Sequence, residues 1–245
     1  MHLTVTSTAA RVNGGVVARC AGAAIAQTFT EWHHVYLLAD ASEADLARLG
    51  HPGEPRLFLR PGTRLMLPEL AHLWSIWRSL PDDEVVVWLD GRNFFATQHA
   101  LSIVARAHEA GALATYGQFM WEDGTIGFAA PVESEPRRAP WTATHLMTFR
   151  AGLVKRLGED DLKMPDGRWS FAPDQAVMLP VLEMAGERAH FLPNILCVCS
   201  ALGADAENAR RGPEYVERHP EEVRRIRSRR GYAALSDEEC SRMTG

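Results

Sequence analysis

The run VVVWLDGRNFF at residues 85–95 constrains the fold more than any other stretch. From Val85 to Leu89 every side chain is apolar, so a strand here must be covered on both faces. Elsewhere strand-like and helix-like segments alternate. Strands are predicted near Leu3–Thr6, His34–Leu38, Arg56–Arg60, Leu113–Tyr116 and 191–199, with helices over Val16–Gln27, Leu67–Leu80 and 97–109. Ser42 with Asp45 resembles an acidic capping box that opens a further helix through Leu49. This alternation predicts an α/β chain with a mostly parallel central sheet flanked by helices. Ligands in such folds gather beyond the carboxyl ends of the strands. Asp40 and Asp90 both stand at such ends.

Within 245 residues there is room for one large core, and 46% apolar with 23% charged residues is ordinary for a globular chain. The formal net charge of −5 gives no general reason to expect nucleic acid. Tyr215–Arg230 is predicted to be helical. Residues 210–230 carry eight Arg and four Glu, a mixture that reads first as a solvated, internally paired surface. The start of the chain shows no basic leader before an apolar core, and no run approaches the roughly 20 apolar residues of a spanning helix. The expectation is a cytoplasmic protein, with peripheral contact at the inner membrane surface left open. Cys20, Cys197, Cys199 and Cys240 are too scattered for a disulfide framework. ILCVCS reads as alternating strand side chains rather than as paired metal ligands.

No HExxH, GxGxxG, Walker loop or nucleophile elbow is present, so attention falls on acids at element ends. Asp90, just before Gly91, could hold a metal and a phosphate or could simply shape a turn. Asp174, ahead of DQAVMLPVLEMAG, could accept a proton or could cap its helix. Glu183, on the same helix, reads as an acceptor binder or as the partner of a basic side chain. Trp141 and Trp169 offer either a sugar-binding face or packing bulk. Tyr116, Gly117 and Gln118 are expected as a turn after a strand.

Several stretches together resemble the family-2 inverting glycosyltransferases with the GT-A fold. RVNGGVVARCAGAAIAQTFTEWHHVYLLADAS is similar to their opening unit, and VVVWLDGRNFF to the strand that carries their metal-binding Asp-x-Asp signature. WTATHLMTFRAGLVKRL and WSFAPDQAVMLPVLEMAG resemble the acceptor side, and EEVRRIRSRRGYAAL the closing basic-aromatic segment. The resemblance implies one catalytic domain over 1–199, with a nucleotide-binding portion 1–118, an acceptor-side portion 119–199 and a polar extension 200–245. It implies transfer of a sugar from a nucleotide-diphosphate sugar to a hydroxyl of a glycan, a lipid-linked carrier or a small molecule. Asp40 matches the acid near the base or ribose, Asp90 the first acid of the metal signature and Asp174 the catalytic base. His145 matches a polar position of the acceptor-side segment, where it could bind an acceptor hydroxyl or the diphosphate or serve as a structural histidine, and Arg227 and Arg230 belong to the closing basic segment that could cover a diphosphate.

The signature is degenerate, because Arg92 and Asn93 stand where further acids are expected. Two readings follow: Mg²⁺ or Mn²⁺ held by Asp90, donor and water, which is favoured, or Arg92 replacing part of the metal's work. A noncatalytic nucleotide-sugar binder and, behind it, a nucleotidyltransferase are the competing functions.

Overall fold

A computed structural model describes residues 1–10, 14–39, 54–62, 69–132, 135–200 and 213–244. Asp40 and the helix expected after Ser42 lie outside the described residues. Eight strands form one sheet: β1 (Leu3–Ala10), β2 (Trp32–Ala39), β3 (Leu57–Gly62), β4 (Val85–Trp88), β5 (Phe94–Phe95), β6 (Ala114–Trp121), β7 (Met147–Arg150) and β8 (Ala189–Cys199). Their order is β3-β2-β1-β4-β7-β6-β8-β5. The half containing β3, β2, β1 and β4 is parallel throughout. Beyond it β7 runs antiparallel to both β4 and β6, and β5 antiparallel to β8. The sheet is therefore mixed on the side where the sequence suggested continued parallel pairing.

The described helices are α1 (Gly14–Ile25), α2 (Glu69–Ser79), α3 (Ala100–Glu109), α4 (Ala151–Val154), α5 (Glu159–Leu162), α6 (Pro173–Ala185), α7 (Pro213–Ser228) and α8 (Asp237–Thr244). Alternation along β4 divides its side chains between two cores, as a strand covered on both faces requires. Val85, Val87 and Leu89 pack with Val17 and Cys20 of α1 and Leu101 and Val104 of α3. Val86 and Trp88 pack on the opposite side with Trp77 of α2, Phe149 of β7 and the apolar residues of α6. Trp77 is fully buried there; its ring meets Trp88 at 5.1 Å and Phe149 at 5.2 Å, and its Nε1–H donates to Thr6 Oγ1 at 3.0 Å.

α7 and α8 contribute Ile226, Cys240 and Met243 to that second core. Arg137 fastens them. Its guanidinium donates to Glu183 Oε1 (2.6 Å), Glu183 Oε2 (2.9 Å) and the Ile226 carbonyl (2.6 Å), while the Tyr232 amide donates to Glu183 Oε2. Glu183 is thus the partner of a basic side chain, one of its two expected roles, and both oxygens are used in that structural joint. Removing one member of a buried ion pair strands the other charge. Glu183→Ala is expected to cost about 3 kcal/mol of stability, read as a lowered urea midpoint.

Tyr116, Gly117 and Gln118 lie inside β6, which runs on to Trp121 rather than turning after Tyr116. Pairing with β8 extends the strand: Tyr116 faces Phe191 and Gly117 faces Leu192. Pro165, Asp166 and Gly167 form a turn, with Gly167 at φ 81° and its amide donating to the Met164 carbonyl.

Candidate active site

β4 ends against β1, and the chain continues alongside it: Leu89 N–H donates to the Thr6 carbonyl and Gly91 N–H to the Thr8 carbonyl at 3.0 Å. Tyr36 Oη donates to the Gly91 carbonyl from β2. A Cβ at Gly91 would stand 2.5 Å from the Thr8 carbonyl oxygen and 2.6 Å from Tyr36 Oη, so only glycine lets the turn lie this close. Gly91→Ala is expected to destabilise by about 1–3 kcal/mol, because the turn that aims Asp90 must shift. Thermal scanning checks the effect.

Asp90 and Arg92 form a closed pair. Oδ1 accepts from Arg92 N and Nε, each at 2.9 Å, and Oδ2 accepts from Arg92 Nη2 at 2.6 Å. Burial pushes the Asp90 carboxyl up, but the hydrogen bonds and charge of Arg92 outweigh it and hold the group below its ordinary value. Asn93, the second departure from the acidic signature, is buried, and its Oδ1 accepts from Ser200 N–H at 3.1 Å beyond the end of β8. Its role is to tie two sheet-end segments together.

His145, just ahead of β7, comes to the same place. Burial lowers its pKa, but Cys199, Asp90 and Asp174 pull the other way and the net shift is upward. Cys199 ends β8; a hydrogen bond from Cys197 and the neighbouring imidazole draw its thiol down against burial, while Cys197 is pushed up by the same bond. Phe119 meets the His145 ring edge-on at 5.6 Å. Cys199 was not among the residues singled out from sequence, although its alternation with Cys197 puts both thiols on one face of β8.

Asp174 occupies the first turn of α6, behind Pro173. The N-cap is Ala172, whose preceding Ser170 Oγ accepts its N–H, so Asp174 does not cap the helix. Among the described residues its carboxylate makes no hydrogen bond or ion pair, and both His145 and Arg227 feel its charge. Arg227, on α7, donates to Gln175 Oε1 at 2.8 Å and to the carbonyls of Arg137 and Ala139. Arg230 is exposed, and no contact among the described residues joins it to Asp90 or Asp174. Trp169 packs edge-on against Trp74 at 5.7 Å beneath Lys163, a packing role. Trp141 is partly buried against the same core.

Among the described residues, those around Asp90 do not complete a cradle for a divalent ion. Both carboxylate oxygens already accept from a guanidinium, and among the described residues no set of three His, Cys or carboxylate ligand atoms gathers around Asp90. What gathers instead is Arg92 and His145, whose pKa the neighbouring Cys199, Asp90 and Asp174 raise against burial.

The fold matches solved structures over nearly the whole chain. The mannosyltransferase PcManGT from Pyrobaculum calidifontis, in complex with GDP-Man and Mn²⁺, superposes with a TM-score of 0.64 at 15% identity, covering 99% of this chain and 68% of that one. S. aureus TarS 1-349 in complex with UDP-GlcNAc gives 0.61 at 12% identity, covering 100% and 70%. The chain has the GT-A fold. A further structure of TarS 1-349 gives 0.58 at 13% identity over 82% of this chain, which spans 60% of that one's length. Neither a family model nor a curated protein matches the sequence. Among the described residues no helix is long and apolar enough to cross a membrane.

Proposed function

We propose that the protein transfers a glycosyl group from a nucleotide-diphosphate sugar to an acceptor hydroxyl, with inversion at the anomeric carbon. The observation that carries this reading is the Asp174 carboxylate, unbonded among the described residues and within electrostatic reach of His145, which shares the sheet end with Asp90 and Arg92 on a GT-A scaffold. An inverting displacement needs a base on one side of the reacting carbon and a stabilised leaving group on the other. Asp174 takes the acceptor's proton as the hydroxyl oxygen attacks. The bond from the anomeric carbon to the diphosphate breaks, and its electron pair goes to the leaving oxygen.

Arg92 and His145 meet that negative charge, the guanidinium with a fork suited to phosphate oxygens. Asp90 fixes the guanidinium plane rather than ligating an ion. A bound Mg²⁺ or Mn²⁺ would supply the same neutralisation, but would first have to displace Arg92 from Asp90. Arg227 lines the Asp174 side and steadies Gln175 and the segment around Arg137–Ala139. The nucleotide base, the sugar and the acceptor class are not encoded in these contacts.

A screen of nucleotide sugars with mixed hydroxyl acceptors, run with chelator and with added Mn²⁺, tests the reading. The expected product is a glycoside of inverted anomeric configuration with release of a nucleoside diphosphate, observed by NMR. Donor binding without product across the screen supports the noncatalytic alternative, which draws on the saturated bonding of Asp90. Release of pyrophosphate from a nucleoside triphosphate would place the protein among the nucleotidyltransferases.

A further inference from the structure

At the opposite rim of the sheet, where β1, β2 and β4 begin in register, three ligand-type side chains converge. His2 precedes β1, His33 is the second residue of β2 and Glu84 precedes β4. One ligand atom from each lies within 4.8 Å of the others. His2 Nδ1 stands 2.7 Å from Glu84 Oε1, and His2 Nε2 stands 3.4 Å from His33 Nδ1. Donor atoms around a tetrahedral zinc ion with bonds of about 2.0 Å are themselves about 3.3 Å apart. With one ligand atom from each residue the three lie within 4.8 Å of one another, so a modest contraction brings them to that spacing.

We infer that His2, His33 and Glu84 form a binding site for a divalent transition ion of the zinc type, which clips together the starts of three adjacent strands. Two imidazoles and one carboxylate suit zinc, with water completing four-coordination. The fixed members are anchored: Glu84 Oε1 accepts from the buried Thr4 hydroxyl at 2.5 Å, and that hydroxyl lies 3.1 Å from His33 Nε2. The His2 and His33 rings stack at 4.8 Å with a 29° tilt, so closure on an ion requires a swing of His2. His2 is the member free to make it, with 41% of its side chain exposed against 11% for Glu84. An ion here touches no group of the Asp90 site and is independent of the glycosyl-transfer reading.

Zinc titration of the untagged full chain against a chromophoric chelator tests the site. One equivalent per chain is expected for the wild type, and loss of that equivalent in His33→Ala and in Glu84→Gln. His99→Ala, which removes an exposed imidazole outside the cluster, keeps it. At a 100-fold excess of zinc over Kd the wild-type Tm is expected to rise by roughly 5–10 °C, and the Glu84→Gln Tm to stay still. Far-ultraviolet circular dichroism establishes that the variants fold. Glu84→Gln keeps the side-chain shape should His33→Ala fail that check. Absence of binding in the wild type, or an equivalent retained in the folded variants, overturns the inference and leaves the three residues as a hydrogen-bonded cluster.

Discussion

Asp174→Asn is expected to lower kcat for glycosyl transfer by about 10²–10⁴-fold, the usual contribution of a positioned general base. The donor's KM should change little if, as proposed, the carboxylate serves the acceptor's proton and not the diphosphate. The substitution isolates chemistry from folding. Ala172, not Asp174, stands at the N-cap, and the Asp174 carboxylate makes no bond among the described residues that asparagine would forfeit. The packing of α6 comes from Ala176, Val177, Leu179, Val181 and Leu182, all buried. The split between a large fall in kcat and a steady donor KM supplies the check that a structural role would not satisfy. A folded Asp174→Asn protein with unaltered turnover would remove Asp174 from the mechanism.

How far the sequence announced this site depends on whether each contact is local. Val85–Leu89 and the Asp-Gly after it were legible because a run of apolar residues and the turn that ends it are written in consecutive positions. The strand boundaries at Leu3, Trp32 and Leu57 fall near expectation for the same reason, since each strand starts where apolar side chains start. The antiparallel insertion of β7 was not legible. Met147–Arg150 reads as a short apolar strand whichever way it runs, and its direction is fixed by partners up to 65 residues distant, such as Val85 opposite Arg150. Glu183 looked as suited to an acceptor as to a cation, and only the fold brought Arg137 to it. Cys199 and His145 meet because β8 and the segment before β7 end on the same side of the sheet, a neighbourhood with no local signature. The acidic turn at Asp40 was readable as a candidate, but its part in the site lies outside the described residues.

Arg92→Asp is expected to convert the site to divalent-ion dependence, and the comparison with Arg92→Ala shows why. Wild-type turnover should be insensitive to chelator if, as proposed, Arg92 supplies the cationic charge that meets the diphosphate. In Arg92→Ala the guanidinium fork is gone and nothing replaces it, so kcat should fall by about 10²–10³-fold, the loss seen when one preorganised donor to a developing anion is removed. Arg92→Asp loses the same donor but leaves two carboxylates, Asp90 and the new side chain, flanking Gly91. Hard divalent ions bind through one or two carboxylates with phosphate oxygens and water completing the shell. Added Mn²⁺ should therefore restore more of the turnover in Arg92→Asp, with two carboxylates, than in Arg92→Ala, where Asp90 is released but stands alone. The release of Asp90 from its guanidinium partner matters as much as the new carboxylate, because an oxygen accepting two N–H bonds has little lone-pair density left for a cation. Asp90→Asn separates the two effects: it should weaken donor binding in the wild-type background by loosening Arg92, and in the Arg92→Asp background it should abolish the Mn²⁺ response. Wild-type turnover that collapses with chelator and recovers with Mn²⁺ would show that the ion displaces Arg92 during the reaction, and the guanidinium would then be a gate on the carboxylate instead of its substitute for metal.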